Sequence, residues 1–98
     1  MGANGVRGEA RVTLAGAERT LCLTLGALAE IETGLGIDGV AALAERMRAL
    51  SGRDLTVVLA ALLRGGGERE LAGGLDQAAI EPREAAEAVA KAFAAAAG

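Results

Sequence analysis

RGEARVTLAGAERTLCLTL, residues 7–25, is the stretch that decides the fold. In its first arm Ala10, Val12 and Leu14 alternate with Glu9, Arg11 and Thr13. In its second arm Leu21, Leu23 and Leu25 alternate with Thr20, Cys22 and Thr24. A period of two puts each apolar set on one face of a strand. Between the arms, Ala15-Gly16-Ala17-Glu18 supplies a turn in which Gly16 is free to take positive φ. The pattern predicts a β-hairpin over residues 7–25. A lone hairpin is marginal in water, so its leucine face must rest on the rest of the chain.

The remainder of the chain reads as helix. Thr24 is placed to cap a first helix over Leu25–Thr33, with Leu28, Ile31 and Leu35 on one stripe and Gly34 and Gly36 as its stop. Asp38 is placed to cap a second helix reaching about Leu50. Its apolar face is Val40, Leu43, Ala44, Met47 and Leu50, opposite Glu45, Arg46 and Arg48. Ser51-Gly52-Arg53-Asp54 resembles a capping box with Asp54 in the Glu/Gln place, opening a third helix to about Arg64. Leu55, Val58, Leu59 and Leu62 form its main stripe, widened by Val57, Ala61 and Leu63. This helix is expected to be central. Gly65-Gly66-Gly67 ends it. Residues 68–81 read as a short or broken helix, because Gly73-Gly74 costs roughly 2 kcal/mol of helix propensity. Pro82 suits the first turn of a last helix to about Ala96. The fold class predicted is α+β: an N-terminal β-hairpin packed on a bundle of about four helices. One domain is expected over residues 1–98, with 1–6 flexible, 7–25 the hairpin and 26–97 helical.

Composition supports this and narrows function. The chain has 98 residues, 52% apolar and 23% charged, a balance that argues for a globular protein. Phe93 is its one aromatic, so the core is expected to be aliphatic and alanine-rich. The net charge of −3, with no aromatic platform for base stacking, argues against nucleic acid as a partner. No apolar run approaches the ~20 residues of a membrane span, so no membrane association is expected. The N-terminus does not read as a signal peptide, and Cys22, the lone cysteine, fits a reducing compartment. A cytoplasmic location is expected.

Candidates for chemistry are few. There is no histidine, hence no imidazole base or ligand. Cys22 lies in a predicted strand without an activating partner, and Ser51, the only serine, sits at a cap. Arg64-Gly65-Gly66-Gly67 follows a helix and lacks the Lys-Ser/Thr of a phosphate loop. Glu30 and Glu32 diverge on their helix, whereas Glu84 and Glu87 share a wet face. Arg46, Arg48 and Arg53 read as scattered surface charge. No catalytic, cofactor-binding or metal-binding residue is expected, no cofactor is implied, and the chain is not expected to be an enzyme.

Several stretches taken in order carry a resemblance. They are Arg7-Gly8-Glu9, Leu23-Thr24-Leu25-Gly26-Ala27-Leu28-Ala29-Glu30-Ile31-Glu32, Leu43-Ala44-Glu45-Arg46 and Leu62-Leu63-Arg64-Gly65-Gly66-Gly67. Over roughly residues 7–67, and more loosely through Val89 and Phe93, the chain resembles the tail proteins of gene transfer agents, the phage-like particles of alphaproteobacteria. That family carries the label tail tube protein. The resemblance implies a tail morphogenesis protein acting by protein–protein binding, with tape-measure or tube subunits as partners. One hairpin offers few strands for a continuous β-ring, so a tail assembly chaperone is the expected role and a structural tail component the alternative. Docking is expected through the alanine-rich last helix or the outer face of the hairpin.

Overall fold

The computed structural model describes residues 8–97. The expected flexible segment 1–6, and Arg7 at the start of the hairpin, lie outside the described residues. The hairpin is formed by β1 (Glu9–Leu14) and β2 (Ala17–Cys22), paired antiparallel from Leu14↔Ala17 to Glu9↔Cys22. The turn is tighter than the sequence suggests. Only Ala15 (φ 53°) and Gly16 (φ 81°) lie outside the strands. Positive φ at both central residues is the type I′ pattern, whose twist matches that of the flanking strands. Ala10, Val12, Leu14 and Leu21 are buried as the alternation requires. The other face carries Arg11 and Glu18, diagonal neighbours in an exposed 2.8 Å ion pair.

Five helices come after the hairpin: α1 (Leu25–Leu35), α2 (Gly39–Arg46), α3 (Gly52–Gly65), α4 (Arg69–Gly73) and α5 (Pro82–Ala97), with a 3₁₀ turn at Leu75–Gln77. This is the α+β arrangement that the sequence predicts, with four helices of eight residues or more. Thr24 caps α1, its Oγ1 accepting from the Ala27 N–H at 3.0 Å. The Ser51 Oγ caps α3 in the same way, accepting from the Asp54 N–H at 3.0 Å. Helix α3 is central. Val58, Leu59, Ala61, Leu62 and Leu63 are all buried, and the helix packs against α1, β2, α4 and α5. Helix α5 covers β1 and α3 with Ala85, Ala88, Val89 and Ala92. The short side chains let these elements approach closely.

Three expectations need correction. Leu25 does not extend the hairpin's apolar face; it opens α1 and is 86% exposed. Helix α1 runs through Gly34 to Leu35, because Gly34 is a packing residue and not a stop. A Cβ there would stand 2.5 Å from Val57 Cγ1 of α3. Helix α2 ends at Arg46, four residues short of Leu50, and the Asp38 side chain makes no cap bond. Its first N–H, that of Gly39, is satisfied instead by Glu32 Oε2 at 2.8 Å.

The glycine run after Arg64 ends α3 as expected. Gly65 and Gly66 do more than end α3, because a Cβ on either would run into the carbonyl oxygens of Cys22 and Thr20. The last turn of α3 is thus seated directly on the backbone of β2. Glu68 completes the join, its Oε2 accepting from the Thr20 N–H at 2.9 Å. Glycine is required here because two backbones touch.

Candidate functional site

One cleft on the described surface is lined wholly by apolar side chains, and a second, between α3, the 3₁₀ turn and α5, by apolar residues apart from Thr56. The first is a groove of about 260 Å³ between α2, the start of α1 and the last turn of α5. Leu23 and Leu28 form its floor side, Val40, Leu43 and Met47 its α2 wall, and Phe93 its α5 wall. The one-faced pattern of α2 creates that wall. Leu43 turns inward and is buried, while Val40, three residues earlier, stays 67% exposed at the mouth. Val40 and Leu25 are the two exposed large hydrophobic residues among those described.

One side chain fixes the far end of α2. Arg46 reaches Asp54 at the start of α3 with Nε to Oδ2 at 2.9 Å and Nη2 to Oδ1 at 3.3 Å. Its Nη1 also donates to the Leu35 carbonyl, 3.3 Å away, at the C-terminal end of α1. The fork therefore ties three helices together and satisfies a helix-end carbonyl with no partner inside its own helix. Hydrogen bonding from the Arg46 guanidinium holds the Asp54 carboxyl below its ordinary range, against the opposing effect of burial. The carboxylate of the sequence-level capping box thus serves tertiary structure, and Arg46 is not one of three loose surface cations.

The remaining candidates are structural. Cys22 is buried, and burial pushes its thiol up, helped by the Glu9 carboxylate opposite it in the ladder. That is the reverse of what a reactive thiolate needs. Glu30 pairs with Arg64 across another, broader cleft of about 630 Å³ between α1, α3 and α4, so the two charges answer each other. Glu32 holds Gly39, Glu87 is exposed and Glu84 half-buried. Among the described residues, no group of three or more His, Cys, Asp or Glu side chains could hold a metal ion. Among them, too, no helix is long and apolar enough to cross a membrane.

Of the two surfaces expected for docking, only the end of α5 borders the apolar groove. The outer face of the hairpin is polar, with Arg11, Thr13 and Glu18 exposed. Helix α5 contributes its last turn, whereas its central alanines are spent on β1 and α3. The groove's other wall, α2, is not among those surfaces. Its signal was available: an apolar stripe on a helix too short to be enclosed. At about 260 Å³ the groove is smaller than a typical small-molecule pocket and suits a few aliphatic side chains presented by another chain.

A family model described as phage tail tube protein, GTA-gp10, matches residues 7–98. The match reaches through α4 and α5, further than the motifs in residues 7–67. Neither the curated proteins nor the solved structures provide a match.

Proposed function

Because this chain belongs to the phage tail tube protein family of gene transfer agents, we propose that it serves tail morphogenesis as an assembly chaperone. It binds apolar segments of a tape-measure or tube subunit and performs no catalysis. The observation that carries this reading is the groove between α1, α2 and α5, with Val40 standing open at its mouth. A groove lined by leucine, valine, methionine and one phenylalanine gains by removing a partner's apolar side chains from water, about 25 cal/mol per Å². An amphipathic helix offers such side chains at i, i+3 and i+4. The chaperone works in the cytoplasm before the tube closes.

A second reading, a structural subunit of the tube, is favoured by the family description and by the edge of β1. In a two-residue hairpin the closing pair is hydrogen-bonded, and every second pair beyond it is bonded likewise. The backbone groups of Glu9, Arg11 and Thr13 then point outward. Among the described residues these groups make no backbone hydrogen bond beyond the hairpin. Such an edge accepts a neighbour's strand. Against it stands the sheet itself, two strands in the described residues, with the β2 edge covered by Gly65, Gly66 and Glu68.

Mass spectrometry of purified particles separates the two. A chaperone is absent or far below one copy per tube ring, whereas a tube subunit is among the most abundant proteins. Co-expression with the tape-measure protein of the same tail gene cluster gives the second arm. The chaperone reading expects a complex weakened by Val40→Asp. Abundance in particles, or a complex indifferent to that change, would overturn it.

A further inference from the structure

The wall of the groove is built differently from its floor. Helix α2 is the one helix of eight or more residues that shares no extensive contact with another element, and Leu43 is its single buried residue. The connection from α1 turns at Gly36 (φ 69°) and again at Gly39 (φ 88°), in the left-handed region where glycine moves without steric cost. Between them Asp38 gives α2 no side-chain cap, and the Gly39 N–H is held by half-buried Glu32 from α1. After Arg46 the helix gives way to turns that reach α3 at Ser51. The segment is held chiefly by the buried Leu43 side chain and the Arg46 fork, with Ile37 and Met47 partly buried against the core and Glu32 bonded to Gly39.

We propose that the segment from Gly36 to Leu50 is a strap, held down by the fork from Arg46 to Asp54 and the Leu35 carbonyl, which lifts to deepen the groove for an incoming apolar segment. Lifting it breaks four side-chain hydrogen bonds, three from Arg46 and one from the Gly39 N–H to Glu32, and uncovers Leu43, Leu28 and Phe93. The hairpin, α1, α3 and α5 stay packed on one another, because none of their mutual contacts passes through α2. Local opening of this kind belongs to segments with few buried apolar contacts. Opening costs a partner that binds the lifted form chiefly the fork and the Leu43 contacts, so weakening the fork raises its apparent affinity.

The purpose of the strap rests on reading the groove as a docking site; its motion does not. Native-state hydrogen exchange on the full chain reads the motion with no partner present. Amides of residues 40–46 are expected to exchange through an opening with little denaturant dependence, well before those of residues 58–63. Asp54→Asn, which keeps the backbone N–H bonded to the Ser51 hydroxyl, is expected to speed exchange in α2 about tenfold or more, with far less effect in the core of α3. Arg46→Lys, which keeps the charge but loses the fork, should act in the same direction. Exchange of α2 and α3 at one common rate and denaturant dependence would overturn the strap while leaving the groove untouched. In the second arm, a synthetic amphipathic leucine-rich helical peptide is titrated against both proteins. Tighter binding by Asp54→Asn supports lifting as the entry step. Unchanged or weaker binding overturns that step, and no binding by either protein counts against the docking reading itself.

Discussion

Helices α2 and α3 each carry an apolar stripe, yet α3 buries Val58, Leu59, Ala61, Leu62 and Leu63 while α2 buries Leu43 alone. The difference lies less in the stripe than in how many sides acquire a neighbour. Helix α3 carries apolar residues beyond one stripe, and α1, β2 and α5 each take a share. Glycines at the points of closest approach, Gly34 on α1 and Gly65 and Gly66 at its own end, allow that crowding. Helix α2 has eight residues, one stripe and water on its other side. In a chain this small, the core cannot enclose every apolar stripe, and the surface left over stays in contact with water.

The contrast breaks most readily at matched leucines. Leu59→Ala in α3 should cost about 2–4 kcal/mol, because close-packed surroundings collapse poorly onto a cavity. Leu43→Ala in α2 should cost about 2 kcal/mol or less, since a loosely held helix can settle into the gap. Chemical denaturation of both variants makes the comparison. Equal losses would mean that α2 is as much a part of the core as α3.

A smaller effect is expected where α3 meets β2. Gly66→Ala places a methyl group against the Thr20 carbonyl, a backbone atom that cannot swing aside, and should destabilise by about 1–3 kcal/mol. Gly52→Ala, at the other end of the same helix, meets nothing within 4 Å and should be neutral or slightly stabilising. If thermal melts of the two variants coincide, the close helix–strand approach is wrong.

Asp54 links the two regions, so its titration sharpens the comparison. Its pKa is lowered in the folded protein from an ordinary 3.8, first by the hydrogen bonds from Arg46. A depressed folded pKa means stability that is complete above the unfolded value and lost as pH falls through the folded one. The stability difference between the wild type and Asp54→Asn should therefore be flat from neutral pH to about pH 5, then shrink below 3.8. A difference that grows on acidification would contradict the pairing.

These contrasts also mark what the sequence could disclose. The hairpin alternation, the caps at Thr24 and Ser51, the centrality of α3 and the weak helix after Gly67 are local patterns, and each is present as read. The misreadings share a cause. Gly34 looks like a helix stop, and Gly65 and Gly66, which do end α3, look like nothing more, because a glycine says nothing of the side chain or backbone lying across it. Asp54 looks like a capping residue because its partner, Arg46, belongs to another helix. Leu25 looks like a strand residue because alternation continues one step past the point where Thr24 starts a helix. The groove was half legible: its apolar residues stood out, but which of them would find a neighbour depends on the arrangement of α2 and α5.

Val40→Ser is the mildest change and the most discriminating. Val40 is 67% exposed, so removing its methyl groups from water should move folding stability by no more than about 0.5 kcal/mol in either direction. A hydroxyl at the mouth of the groove would nonetheless have to be desolvated whenever an apolar helix docks there. Binding of a synthetic amphipathic peptide should thus weaken about five- to tenfold, the loss expected for roughly one kcal/mol of apolar contact and polar burial. The same change in α3, Val58→Ser, should do the opposite: a large loss of stability, with no separate effect on the peptide once the remaining folded fraction is accounted for. If Val40→Ser unfolds the protein, α2 is core after all. If it leaves both folding and peptide binding alone, the open side of α2 is ordinary surface, and the docking site lies elsewhere.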